Sequence, residues 1–332
     1  MRIAIDAMGG DQAPAKIVQG ALDALALLDA DDELILVGQP DAIQAAAGAA
    51  LGADRRVRIE PASQVVTMDD SPVEAIRGKR DSSIVKMVKL AGSGRADAII
   101  SAGNTGALVA AGVLMLKPLP GVERPGIACS IPTASGRPFM LCDAGANPQA
   151  KAIHLYHYAV MCNLYSQTLH KVESPRIAVL NIGTEDEKGT PLVKEARELI
   201  QADKSLNFIG YIEPREVFKG EVDVVVTDGF TGNVMLKLIE GCTEMTLMVV
   251  GREFMTAAPD SMSLFSATMK RVMKTFDYEE YGGALLLGVS GLFFKIHGAS
   301  GARAVKNAVA GAKAAARLDV NKQIIARLGK PA

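Results

Sequence analysis

Short apolar segments alternate along this chain with longer segments of helical periodicity, and this alternation constrains the fold more than any other feature. Helical patterns occupy residues 13–28, 84–90, 107–116, 150–165 and 192–202. Strand candidates are residues 2–6, 33–37, 56–60, 97–101, 126–131, 138–143, 176–181, 207–212, 223–228 and 292–296. Strands that are apolar on both faces and separated by helices indicate a mainly parallel sheet covered on both sides. The expected fold is therefore a three-layer α/β/α sandwich.

The chain gives no sign of a division into separate domains. Its 332 residues contain no Pro/Gly/Ser-rich linker and no repeat of 20–50 residues. Hydrophobic residues make up 49% and charged residues 22%, which suffices for a large core and excludes disorder. We expect one α/β/α catalytic domain over residues 1–332, or two lobes that share one sheet system.

Charge and cysteine usage exclude several classes of function. The 36 Lys and Arg residues against 37 Asp and Glu give a net charge of −1, so no nucleic-acid partner is expected. The four cysteines form no C-x-x-C pair and indicate reduced thiols in a cytoplasmic protein, with no metal site. Residues 98–116 carry no charge, but their polar first half predicts a strand, a turn and a helix rather than a membrane span.

Five predicted strands run into small, polar, glycine-rich turns. These turns are residues 6–11, 101–106, 143–147, 181–186 and 227–233. Since the carboxyl ends of parallel strands share one edge, we expect the turns to converge there and form a ligand cleft. For any single turn, ordinary turn chemistry explains the residues equally well.

The turns offer backbone N–H groups, hydroxyls and amides, which suit phosphate or the oxyanion of an acyl-transfer intermediate. Neither G-x-x-x-x-G-K-[ST] nor a G-x-G-x-x-G after a strand occurs, so a standard nucleotide site is not expected. The candidate phosphate- or substrate-binding residues are Gly9, Gly10, Asn104, Thr105, Gly106, Asn147, Asn181, Gly183, Thr184, Thr231, Gly232 and Asn233. The acidic residues of the turns repel phosphate and are expected to orient donors instead; they are Asp6, Asp11, Asp143 and Asp228.

As an ordered set, these motifs resemble the phosphate acyltransferase family of bacterial phospholipid synthesis. The matching segments are residues 5–11, 101–107, 143–147, 181–186 with Lys188 and Gly189, 227–233, 281–283 and 297–298. One departure is visible, because Gln12 stands where many relatives have His, and this puts a base at that position in doubt.

The resemblance implies transfer of a long-chain acyl group from an acyl-carrier-protein thioester to inorganic phosphate, which gives acyl phosphate. It also implies a fold like that of isopropylmalate dehydrogenases, a homodimer, peripheral attachment to the cytoplasmic membrane, and no metal or organic cofactor. Its implied partners are acyl carrier protein, a second copy of the chain, the inner membrane surface and the membrane glycerol-3-phosphate acyltransferase.

Two residues are candidates for catalysis by direct attack of phosphate, without a covalent acyl-enzyme. Lys188 follows an acidic run and matches the family's lysine, although composition alone favours a solvated loop lysine. His297 follows an apolar strand and could protonate the departing thiolate, or could simply bond its loop. An acyl-accepting Cys142 is disfavoured by its apolar setting, and His154 and His157 indicate packing rather than metal binding.

Two further segments are candidates for contact with the carrier protein or the membrane. Basic Arg77, Lys79 and Arg80 suit phosphate, the acidic surface of a carrier protein, or solvent alone. Residues 233–276 predict a protruding Met-rich helical hairpin that makes a dimer interface, with a tip facing membrane or acyl chain; internal core is the alternative. The hairpin's contact candidates are Phe265, Met269, Lys270, Arg271 and Lys274.

Three other functions remain as alternatives. A dehydrogenase on the same fold would need a metal-binding carboxylate cluster and an adenine site, and the sequence supports neither. A phosphotransacetylase acting on small acyl-coenzyme A is chemically closer, and the long apolar hairpin argues only weakly against it. A non-catalytic membrane scaffold that binds carrier protein has no need for polar turns of this kind.

Overall fold

A single mixed β-sheet of eleven strands runs through the computed structural model, which describes residues 1–276 and 282–329. The strands are β1 (Arg2–Asp6), β2 (Glu33–Gly38), β3 (Val57–Pro61), β4 (Ala98–Ser101), β5 (Gly126–Ile131), β6 (Phe139–Cys142), β7 (Arg176–Leu180), β8 (Asn207–Ile212), β9 (Val224–Val226), β10 (Ala284–Leu287) and β11 (Leu292–Lys295). All ten predicted strands are present, with small shifts at their ends. β10 is the strand that the sequence pattern missed.

Helices connect most of the strands. They are α1 (Ala15–Asp23), α2 (Pro40–Ala47), α3 (Pro72–Gly78), α4 (Ser83–Gly92), α5 (Thr105–Ala111), α6 (Ala152–Leu169), α7 (Pro191–Ala202), α8 (Gly229–Ala257), α9 (Met262–Phe276), α10 (Ala302–Leu318) and α11 (Val320–Leu328). The uncharged stretch 98–116 folds as β4, a turn and α5 as predicted, with α5 extended by a π-helical turn. Within the described residues, no helix has the length and apolar character needed to cross a membrane.

Two parallel halves of the sheet run in opposite directions. The strand order is β3-β2-β1-β4-β11-β10-β5-β6-β9-β7-β8. From β3 to β11 the neighbours are parallel, and from β6 to β8 they are parallel again. The pairs β11–β10, β10–β5 and β5–β6 are antiparallel, so direction reverses three times between the halves.

This reversal corrects the expectation that five turns meet at one edge of the sheet. The turns after β1 and β4 lie at one edge, which we call the first edge, together with the residues after β11. The turns after β6, β7 and β9 lie at the opposite, second edge. The physical reason is the connection of seven residues between β5 and β6, at 132–138, which is too short for a parallel crossover.

Helices cover both faces of the sheet and confirm the three-layer α/β/α class. On one face, the core joins the sheet to helices α1, α6, α7 and α10. On the other face, α4 and α5 cover the first half, whereas α8 covers part of the second half. Alternation along the strands places Asp6, Ser101 and Lys295 on this second face, in the same register as buried Ala4, Ile99 and Phe293.

The predicted hairpin is present as α8 and α9. Phe254 stacks on Phe265, with ring centroids 4.4 Å apart. Phe265 and Met269 are half-buried, so they lie along the seam between the two helices rather than on its outer surface. Lys270 and Arg271 are exposed. The side chain of Lys274 and the motif residue Tyr281 lie outside the part of the chain that the structure describes.

Two glycines of α8 test how tightly its first turn is held. A Cβ at Gly232 would collide with the Asp143 carbonyl oxygen, whereas Gly241 faces open space. We expect Gly232→Ala to lower the free energy of unfolding by at least ~2 kcal/mol, because the backbone must move to relieve the clash. Gly241→Ala should raise it by about 0.5–1 kcal/mol. Urea denaturation measures both, and equal effects would refute the packing described.

Candidate active site

Three turns interlock at the first edge of the sheet, and we call them the first-edge cluster. They are residues 7–12, 102–106 and 297–300. The Asp6 carboxylate accepts hydrogen bonds from the Ser101 hydroxyl at 2.7 Å and from the Met8 N–H at 3.2 Å. The N–H of Gly103 donates to the same Ser101 oxygen at 3.0 Å. A buried carboxylate thus fixes two of the turns, as the sequence predicted for its role.

Backbone contacts join the third turn to the first. The Asp11 N–H donates to the Gly298 carbonyl at 2.8 Å, and the Gln12 amide donates to the Ala299 carbonyl at 3.0 Å. Gly10 has a φ of 101°, and a Cβ there would lie 3.0 Å from the Gly298 carbonyl oxygen. The side chain of Gln12 therefore helps to hold the two turns together.

Lys295 brings a positive charge into this cluster, and sequence analysis missed it. Its ammonium donates to the carbonyls of Ala102, at 3.4 Å, and Ile296. Burial lowers the pKa of Lys295 to about 8, although the negative charges of Asp6 and Asp11 oppose this. Burial likewise raises the pKa of Asp6. The available signal was a single charge inside the apolar strand 292–296.

Asn104 and the segment that it holds form one wall of the cluster. The Asn104 amide donates to the carbonyls of Thr67, Met68 and Asp70 at 3.1–3.3 Å. Its oxygen accepts the Ala107 N–H at 3.0 Å and so caps α5. The side chain therefore has the capping role that the sequence left open, and its role as a phosphate ligand stays a prediction.

The basic segment lies next to the same cluster. The Ser83 hydroxyl hydrogen-bonds the Asp6 carboxylate, which places the start of α4 against the end of β1. Arg77 and Arg80, which precede Ser83 in the chain, are exposed. The ammonium of Lys79 lies 2.5 Å from the carboxylate of Asp70. Thr105 and Gly106 are half-buried at the start of α5. The structure thus brings together predicted residues from three separate motifs.

A second buried carboxylate organises the second edge. The oxygens of Asp143 accept the backbone N–H groups of Ile127, Gly145, Ala146 and Asn147 at 2.7–3.0 Å. The Asn147 amide donates to the same carboxylate at 3.2 Å. Asp143 therefore orients donors as predicted, and the amide of Asn147 is engaged by the protein itself.

The start of α8 packs on this turn. The N–H of Gly229 donates to the Asn147 carbonyl at 3.0 Å. Asp228 caps the helix, since its carboxylate accepts the N–H and the hydroxyl of Thr231 at 2.9 and 2.7 Å. Asn233 is exposed one turn further on. These contacts are those of a helix cap, and ligand binding by Thr231 and Asn233 stays a prediction.

Lys188 lies in the turn after β7. The Asn181 amide donates to the Lys188 carbonyl at 3.2 Å, and the ammonium is 3.3 Å from the carboxylate of Glu185. The Lys188 side chain is 46% exposed. Gly183 is buried under it and Thr184 is exposed.

The two predicted catalytic residues are far apart within one chain. Five strand spacings of about 4.8 Å separate β11 from β7, which amounts to about 24 Å, and the residues lie at opposite edges. Lys188 and His297 of one chain therefore cannot contact the same reacting atoms, which corrects the expectation of one shared pocket. His297 is exposed, and its Nδ1 accepts the Ala299 N–H at 3.3 Å.

The sheet face that α5 and part of α8 cover runs from the first-edge cluster toward the second edge. Cys129 of β5 and Leu236 of α8 are only partly covered there. Burial and the negative charges of Asp143 and Glu240 raise the pKa of Cys129 to about 12, and Lys295 opposes this. The thiol therefore lies within electrostatic reach of groups at both edges.

The comparisons with known proteins cover almost the whole chain. The model of the "Fatty acid synthesis protein" family matches residues 1–323. "Phosphate acyltransferase" of Oceanobacillus iheyensis is 42% identical over 328 residues, which are 98% of this chain and 97% of the relative. That of Desulfitobacterium hafniense strain DCB-2 is 44% identical over 318 residues, 94% of this chain and 93% of the relative. The chain belongs to the phosphate acyltransferase family. It is an acyltransferase of fatty acid and phospholipid synthesis.

Solved structures share the fold of this acyltransferase at low sequence identity. A phosphotransacetylase from Streptococcus pyogenes has a TM-score of 0.60 and 18% identity, over 96% of this chain and 94% of that one. A branched-chain phosphotransacylase from Enterococcus faecalis V583 has a TM-score of 0.58 and 14% identity, over 95% of this chain and 99% of that one. These likenesses confirm the α/β fold. A likeness to isopropylmalate dehydrogenases stays a prediction.

Asn104 offers a direct test of how this acyltransferase builds its first-edge cluster. We expect Asn104→Ala to lower the free energy of unfolding by about 2–3 kcal/mol, since it removes a helix cap and the donor to three carbonyls. Asn233→Ala, at an exposed helical position, should change it by less than ~0.5 kcal/mol. Urea denaturation compares the two, and equal changes would contradict the structural role of Asn104.

Proposed function

We propose that this acyltransferase moves a long-chain acyl group from an acyl-carrier-protein thioester to inorganic phosphate at the first-edge cluster. The supporting observation is the convergence there of glycine turns, half-buried Thr105 and the cation of Lys295. The family supplies acyl transfer as the reaction, and the chemistry of these groups favours an anion as the acceptor.

Phosphate is substantially dianionic near neutral pH, so it needs positioning more than activation. Well-oriented attack can lower a barrier by roughly 7–11 kcal/mol, and one oxyanion donor by about 3–4 kcal/mol. Direct attack is favoured over an acyl-enzyme because burial raises the pKa of the thiols of Cys129 and Cys142. A thiol that stays protonated at neutral pH is a poor nucleophile.

The exposed guanidinium groups of Arg77 and Arg80 suit a large acidic partner better than a small buried anion. We therefore assign them to the carrier protein and Thr105 to phosphate. The catalytic role of Lys188 remains a proposal that rests on the family resemblance, and it would have to act apart from His297 of the same chain.

The activity itself is tested by incubating the protein with acyl-acyl-carrier-protein and phosphate. We expect acyl phosphate and free thiol in equal amounts, with long acyl chains preferred over acetyl-coenzyme A. Turnover of acetyl-coenzyme A alone would favour a phosphotransacetylase, whose fold this chain shares. No acyl phosphate from either donor would refute the proposal.

A crossed pair of variants tests the assignment of the two substrates. Thr105→Val should raise KM for phosphate about tenfold, the effect of losing one charged hydrogen bond, and should leave KM for the carrier protein unchanged. Arg77→Glu with Arg80→Glu should raise KM for the carrier protein and leave KM for phosphate unchanged, because the reversed charges repel an acidic carrier. Steady-state kinetics with each substrate varied gives both constants. Parallel increases in both variants would contradict the assignment.

We also propose that the outer surface of the hairpin binds a second copy of the chain and an anionic membrane surface. The apolar side chains exposed on it are Val234, Leu238, Met245, Met248, Val249, Val250, Met255 and Leu264. Apolar exposure on this scale is typical of interaction sites. Exposed Lys270 and Arg271 would add attraction to anionic lipid, and a peripheral location in the cytoplasm follows.

Met248 and Leu264 are 73% and 69% exposed, so they test the membrane contact without disturbing the seam. Met248→Glu with Leu264→Glu should weaken binding to anionic vesicles at least tenfold, because charge replaces apolar contact. Ser263→Glu with Thr268→Glu is the control, since it adds the same charge at exposed polar positions. Vesicle sedimentation measures both pairs. Equal binding by the two variants would refute the membrane contact.

A further inference from the structure

Lys295 is a charged residue in an apolar strand, and its contacts differ from those of a residue that only packs in the core. β11 is otherwise apolar, and its last residue pairs in register with Ser101 of β4. The side chain therefore lies on the face where Ser101 donates to Asp6. The residue is half-buried at this position.

The hydrogen bonds of the ammonium go to two backbone carbonyls rather than to a carboxylate. An ammonium has three N–H donors, so among the described residues one proton remains for a ligand. The titratable groups that act on it come from three elements: Asp6 of β1, Asp11 of the following turn, and Cys129 of β5. From α8, Glu240 acts on the same cysteine.

The proposed reaction requires a proton at the sulfur atom. A phosphate oxygen attacks the thioester carbon, the carbon–sulfur bond breaks, and the thiolate leaves with the electron pair. The attacking hydrogen phosphate dianion carries one proton. The acyl phosphate dianion that forms has lost this proton, and the thiol product has gained one. A group beside the reacting atoms that gives a proton to sulfur and takes one from phosphate completes this exchange.

We propose that the Lys295 ammonium protonates the departing thiolate and that the resulting amine accepts the proton of the attacking phosphate. This assignment rests on the proposed function. It gives the acid role to a residue that sequence analysis passed over, in place of His297, whose ring is exposed at the rim. Each turnover returns the lysine to its protonated form, so no other acid is consumed.

The acidity of the lysine suits this exchange. Burial lowers its pKa to about 8, close to the ~8.5 of an ordinary thiol. Proton transfer is most efficient when the pKa of the catalyst lies near the working pH. Because the protonated form is the active one, turnover at a saturating concentration of the phosphate dianion should fall as the pH rises through about 8.

Changing the acidity of the leaving thiol distinguishes a proton donor from a residue that only shapes the site. Lys295→Met should lower kcat/KM by about 10²–10⁴ with the carrier-protein thioester, whose alkyl thiolate needs a proton. With an aryl thioester of the same acyl chain, the loss should be below tenfold, since that more acidic thiol leaves as the anion. Lys295→Arg should behave like the Met variant, because its guanidinium does not release a proton.

The controls make each outcome decisive. Lys204→Met removes an exposed lysine at the end of α7 and should change neither rate nor pH profile. Thermal unfolding of each variant checks that the fold is kept. Equal losses with both thioesters, no loss with either, or full activity of Lys295→Arg would overturn the assignment while leaving the proposed function intact. Failure of the wild-type protein to form acyl phosphate would overturn both.

Discussion

The antiparallel pairings of β10 with β11 and β5, and of β5 with β6, determine the rest of the structure. They join two parallel half-sheets that run in opposite directions. Every turn after a strand is thereby assigned to one of two edges, and the sheet face that α5 and part of α8 cover runs between them.

Each edge is organised by one buried carboxylate. Asp6 holds its turns through hydroxyl and N–H donors. Asp143 accepts four hydrogen bonds from its own turn and one from Ile127 of β5. The two edges differ in positive charge. At the first edge a half-buried lysine lies beside the carboxylate, whereas the cation of the β7 turn is exposed and paired with Glu185. A half-buried cation among glycine turns is the better setting for a dianion, because low dielectric strengthens the attraction.

Much of the fold could be predicted from local patterns. Apolar runs gave ten strands, the polar turn at 101–106 separated β4 from α5, and methionine-rich periodicity gave the α8–α9 hairpin. β10 escaped because four apolar residues after two glycines carry no strand period long enough to recognise. Without β10, the sequence pattern does not show that the strands of the two halves run in opposite directions. The short connection at 132–138 indicates only the reversal between β5 and β6.

The site was only partly predictable for the same reason. Motifs identified the turns, but local sequence does not report which strand ends share an edge, so Lys188 and His297 were assigned to one pocket. Lys295 was missed because a lysine at the end of an apolar strand resembles a solvated strand terminus. Its environment arises from β1, β4 and β5, which pair with or face β11 only in the folded sheet.

The central claim is that the first-edge cluster holds the phosphate. A crystal structure of the protein with phosphate bound tests it most directly. We expect density for the anion beside Thr105, within hydrogen-bond distance of the Lys295 ammonium. Phosphate seated instead at the second edge, between the Asp143 turn and Lys188, would contradict it.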